Sequence, residues 1–80
     1  MYEKVMIGEQ IIDGRKHTYY LLEKNLTYGI EIAAEDYEKY ICSQVYFTEN
    51  KMFANQLCNK ICQGTVTVIG LEDVIDDIVA

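Results

Sequence analysis

The chain changes its hydrophobic period once. Up to Phe47 apolar and polar residues tend to alternate, and beyond Thr48 the apolar positions recur every three or four. A period of two marks a half-buried strand, and one of 3.6 an amphipathic helix. Val5, Ile7 and Ile11 alternate noisily with Met6, Gly8 and Gln10. Asp13-Gly14 follows, and since both residue types tolerate positive φ, the pair predicts a hairpin turn. His17 to Glu23, rich in Tyr and Leu, reads as a second strand, with Asn25 as the next turn residue. Leu26, Tyr28, Ile30, Ile32 and Ala34 then alternate with Thr27, Gly29, Glu31 and Ala33, which predicts a third strand with a distinct inside and outside. Glu35-Asp36 reads as a polar turn. Tyr40 to Phe47 is a fourth strand, with Ile41, Val45 and Phe47 on one face and Tyr40, Cys42, Gln44 and Tyr46 on the other.

Thr48 suits a helix N-cap, and Glu49 the positive end of that helix. Phe53, Leu57 and Ile61 continue at i+4 spacing beside Ala54 and Cys58, and Gly64 is placed for the C′ position, where positive φ costs it little. Thr65 to Ile69 is β-branched throughout, either a short edge strand or an extended linker. The chain closes on Leu71, Val74, Ile75 and Ile78, one stripe at helical spacing opposite Glu72, Asp73, Asp76 and Asp77. So short a helix cannot stand alone in water and must dock its stripe, so the fold is expected to run to the last residue with no floppy tail. Four strands and then two helices predict a single α+β domain over residues 1–80: an antiparallel sheet of about four strands with two short helices packed on one face. The other face is left open, and it carries tyrosines.

Composition adjusts this picture in three ways. Eighty residues, half of them apolar and a quarter charged, are globular but close to the smallest size that folds unaided, so a partner or self-association would help. A net charge of −6 with scattered basic residues argues against nucleic acid and against an anionic membrane surface; solubility is the simpler reason for the acidity. The N-terminus has no apolar core of signal-peptide length, and no apolar run approaches a membrane span. With three cysteines, an odd number, a reducing cytoplasm is the expected location.

Little in the chain suggests chemistry. Cys58 and Cys62 lie four apart on one side of the predicted helix, and with Cys42 and His17 they could make up a Cys₃His zinc set. No Cys-x-x-Cys knuckle is present, however, and Cys is commonly a small buried hydrophobe, so free thiols and no metal are expected. His17, at a strand start, reads as a solvated side chain. Phosphate loops, His-Glu-x-x-His and nucleophile elbows do not occur, so no catalytic residue, cofactor or enzymatic activity is expected. Asp76 and Asp77 read as solvating charges on an outer helical face, the alternative being a strip for a basic partner. The tyrosines suggest more. Tyr28 belongs with the core of its strand, whereas Tyr19, Tyr40 and Tyr46 are the candidate interaction residues, against the plainer reading of cross-strand pairing. The function these features predict is a small non-enzymatic protein-interaction module, its partner another protein or a second copy in a homo-dimer, with no small-molecule ligand implied. The alternative is a thiol- or zinc-dependent protein using Cys42, Cys58, Cys62 and His17.

The run Tyr28-Gly-Ile-Glu-Ile32, a strand leading into a Thr-capped helix, and Leu71-Glu-Asp-Val-Ile-Asp-Asp-Ile78 together resemble a family of short uncharacterised proteins from anaerobic Gram-positive bacteria, a domain of unknown function. The resemblance covers Tyr19 to the C-terminus and departs at Thr65–Ile69, where the family pattern leads one to expect proline or more polar residues. It implies no activity, ligand or catalytic residue.

Overall fold

The computed structural model describes residues 2–36 and 39–79. Strands β1 (Tyr2–Ile12), β2 (Arg15–Lys24), β3 (Thr27–Asp36) and β4 (Lys39–Thr48) form an antiparallel meander, in the order β1-β2-β3-β4. Helices α1 (Lys51–Gln63) and α2 (Leu71–Val79) follow and pack against the sheet. The expected α+β arrangement is present.

Both first turns have two residues. Asp13 (φ 52°) and Gly14 (φ 76°) take the left-handed conformation that matches the twist of β1 and β2. Asn25 (φ 51°) does the same before β3, but it needs a second left-handed residue, and Leu26 (φ 64°) supplies it. Leu26 is therefore an exposed turn residue and not the first inward residue of β3. Glu35 and Asp36, expected to form a turn, are the last residues of β3, which pairs with β4 as far as Asp36↔Lys39.

The noisy alternation of β1 has a structural cause. Met6 pairs with Tyr20 and Gly8 with Tyr19, so Ile7 is an extra residue, a β-bulge. Beyond it every side chain changes face. Val5 lies on the helix side, whereas Ile11, of the same parity, lies on the other side and is 69% exposed.

The core lies between the sheet and the helices. Tyr19, Leu21, Tyr28, Ile30 and Ile32 meet Ala54, Leu57, Cys58 and Ile61 of α1 and Leu71 and Ile75 of α2. The stripe foreseen for α2 docks through Leu71 and Ile75, with Val74 half-buried and Ile78 exposed; Ala80 lies outside the described residues. Neither end of α1 is where composition put it. Thr48 remains in β4 and its Oγ1 accepts from Asn50 N–H, while Asn50 is the N-cap and accepts from Phe53 N–H at 3.0 Å. At the other end Gly64 has φ −80°, and Thr65 (φ 53°) is the left-handed residue. Thr65 N–H bonds Cys62 O and Val66 N–H bonds Ile61 O, the two bonds of a Schellman motif. With Thr65 as C′, the motif sets Val66 against the core. Residues 65–70 form turns and a linker, so the edge-strand alternative falls away. The linker is tied down by Tyr19, whose hydroxyl donates to Val66 O at 2.7 Å.

Candidate functional site: the uncovered sheet face

Strand alternation assigns Met6, Tyr20, Leu22, Gly29, Glu31, Ala33, Tyr40, Cys42, Gln44 and Tyr46 to the face opposite the helices. No element covers this face among the described residues, yet its centre is not wet. Glu31 is 3% exposed, Ala33 is buried, and Leu22 is inaccessible to solvent. Long side chains from the outer strands account for this. Lys4 leaves β1 opposite Leu22, crosses β2 and brings its ammonium to 2.6 Å from Glu31 Oε2 on β3. On the way Nζ lies 4.3 Å from the centre of the Tyr20 ring. From the other side Gln44 Nε2 donates to Glu31 Oε1. Two strand spacings, about 10 Å, separate β1 from β3, a gap that a Lys and a Glu close only when both are extended over β2. The stem of Lys4 thereby covers apolar surface while its charge meets the carboxylate.

The electrostatics follow from the geometry. Hydrogen bonding to Glu31 holds the Lys4 ammonium above the usual lysine range. Glu31 Oε2 is held by this charge. Tyr40, 62% exposed at the rim, has its phenol pushed up by partial burial, with Lys4 acting in the opposite direction. Tyr46 is half-buried on the same face, across from Gly29.

Two sequence-based expectations need correction here, and one alternative lacks its geometry. Tyr19 is not an outward residue. It is fully buried on the helix side, where burial pushes its phenol to about 12. The tyrosine of β2 that does face outward is its neighbour Tyr20, which the alternation of the strand identifies once the inward parity of Leu21 is set. His17 is also buried, at 6% exposure, with Nδ1 3.1 Å from Arg15 O. Lastly, the zinc set is not assembled: Cys42 is exposed on the open face, whereas Cys58, Cys62 and His17 lie on the helix side. No group of three or more potential ligands that could hold a metal occurs among the described residues.

The thiols are nevertheless informative. Burial pushes Cys58 to about 12 and also raises Cys62, which Gln10 opposes through a hydrogen bond. A thiol whose folded pKa exceeds its unfolded value near 9 stabilises the fold below pH 9 and loses that contribution as pH rises toward 12. Tyr19 acts in the same sense between 10 and about 12. The urea midpoint should therefore fall between pH 9 and 11, with Cys58 alone contributing a loss of roughly 2 kcal/mol by pH 10.5. Cys58→Ala should flatten much of that slope; an unchanged profile would contradict burial of this thiol. At pH 8, in solution dilute enough to leave the open face uncovered, a thiol reagent should modify one cysteine, Cys42, quickly and the other two only on unfolding.

The comparison with known families covers almost the whole chain. Residues 3–80 match the model of a family of unknown function (DUF6514). The chain belongs to this family. No curated protein and no solved structure matches it. The match agrees with the expected membership of a family of unknown function and takes in β1 as well as the later elements. No helix among the described residues of this family member is long and apolar enough to cross a membrane.

Proposed function

We propose that this protein is a non-enzymatic interaction module whose uncovered sheet face receives protein, and that the occupant is a second copy of the chain. The observation that carries the reading is the charge on that face. Lys4, Lys16 and Lys24 stand there with Glu9, Glu31 and Glu35, three of each sign, so the face is neutral while the chain as a whole is −6. All the net acidity thus falls on the remaining surface. Two copies meeting through this face avoid net like-charge repulsion, whereas the remaining surface is acidic on balance. A two-fold axis needs a self-complementary patch, and a face carrying both signs supplies one.

Size and composition agree with this reading. Four strands of about ten residues present roughly 600 Å² of sheet per copy, so a pair buries about 1,200 Å², at the lower bound for specific interfaces. Tyr40 and Tyr46, joined by Tyr20 in place of Tyr19, supply the aromatic content that interfaces favour. Glu31 is already paired with Lys4 and buried in the single chain, so docking adds little desolvation to the carboxylate.

Light scattering behind size exclusion, over a hundredfold range of concentration, tests the proposal. Wild type should show twice the monomer mass at the upper end, and Tyr40→Ser combined with Tyr46→Ser should restore the monomer. A wild type that stays monomeric throughout would refute self-association and leave the face for a different protein.

A further inference from the structure

A second site lies on the helix side of the sheet, beyond the reach of either helix. His17, Ala34 and Ile41 form one cross-strand row over β2, β3 and β4. Ala34, small and central, leaves space between its larger neighbours. Ile12 lines the space at the hairpin end, Thr67 to Ile69 of the linker line it from the other side, and it is open to solvent. The result is a cavity of about 210 Å³, with Asp13 and Arg15 at its mouth.

The state of His17 determines what this cavity can recognise. Its Nδ1 lies 3.1 Å from Arg15 O, and a carbonyl only accepts, so Nδ1 carries the proton. Whenever the ring is neutral Nε2 is then its acceptor, and Nε2 has no hydrogen-bond partner among the described residues. His17 is more than nine-tenths buried and lines the cavity, so Nε2 is the acceptor this ring can offer to an occupant. A lone pair in such a place selects for a donor. The charged residues that line the cavity, Asp13 and Arg15, are one of each sign, so its lining carries no net charge to favour an ion. The volume is sufficient for one ring with a substituent, since an apolar cavity of ~150 Å³ accommodates benzene.

We propose that this cavity binds a small neutral molecule with an apolar body and one hydroxyl, the hydroxyl donating to His17 Nε2 and the body resting on Ala34, Ile41 and Val68. The site is separate from the uncovered sheet face, on the opposite side of the sheet. It does not depend on self-association.

Phenol is the probe, titrated into the full chain while the two ring nitrogens of His17 are followed by long-range ¹H–¹⁵N correlation. In the free protein Nδ1 should be the protonated nitrogen. Phenol should shift Nε2 saturably, with a dissociation constant on the order of millimolar for so few atoms. Toluene, in which a methyl group replaces the hydroxyl, should bind at least tenfold more weakly, and benzoate likewise. These comparisons use wild type, so they do not depend on a variant folding. Toluene equal to phenol, benzoate tighter than phenol, Nε2 found protonated, or no saturable shift would each overturn the proposal. If it stands, His17→Phe that retains the wild-type fold should abolish the preference for phenol over toluene.

Discussion

Lys4→Met is expected to destabilise the fold by about 3 kcal/mol, and Glu31→Gln by about 1 kcal/mol or less. The two residues make one ion pair, but they are not buried alike. The Lys4 side chain is 34% exposed and that of Glu31 is 4% exposed. Without Lys4, the Glu31 carboxylate stays in the centre of the face with Gln44 left to bond it, and a buried charge that loses its counter-ion is costly. Without the charge on Glu31, Lys4 can rotate into water. A Gln at 31 also still offers an oxygen to Gln44. Lys4→Met combined with Glu31→Leu should come within about 1 kcal/mol of wild type, since removing both partners leaves no stranded charge. Urea denaturation at one fixed protein concentration measures all four chains, the concentration being held because association through this face would add to apparent stability. Equal losses from the two single variants would mean that Glu31 reaches solvent, contrary to its position here.

Gly29→Ala should cost about 3 kcal/mol or more and in so small a domain is expected to leave much of the chain unfolded at room temperature. A β-carbon at residue 29 would overlap Val45 O and would lie 2.7 Å from Tyr46 Cα, both of them backbone atoms of the paired strand. No rotamer change relieves such a clash. The close approach arises where the register of β3 and β4 shifts, between Tyr28↔Thr48 and Gly29↔Tyr46. Gly14→Ala gives the contrast. Gly14 has φ +76° with open space around it, so Ala there carries only the backbone penalty of about 1 kcal/mol. Thermal unfolding followed by circular dichroism separates the cases: a Gly29→Ala midpoint within a few degrees of that of Gly14→Ala would rule out the tight approach of β3 to β4.

Glu31 and Tyr19 show how far a residue pattern can be read. Alternation places Glu31 on the outward face, correctly, and outward implies exposed. It is buried because Lys4, twenty-seven positions earlier, passes over the strand between them. No local period encodes that contact, since it depends on the antiparallel register of three strands. Tyr19 is misread for the opposite reason. Tyr19 and Tyr20 are adjacent, either can face the core, and Val66 O, which satisfies the buried hydroxyl, is 47 residues away. His17 likewise looks solvated until the linker folds over its end of the sheet.

The elements themselves were legible because they depend on near neighbours. The strand period, the Asp13-Gly14 turn and the stripe of Leu71, Val74, Ile75 and Ile78 express local sterics and the need to bury one face, so the sequence alone determined four strands, two helices and the side of the sheet they share. Tertiary structure decided the bulge at Ile7 that turns Ile11 outward, the left-handed residue at Thr65, the separation of Cys42 from Cys58 and Cys62, and the ion pair at the centre of the open face. Each of these is set by distant chain segments competing for the same space, a condition that no short window of residues contains.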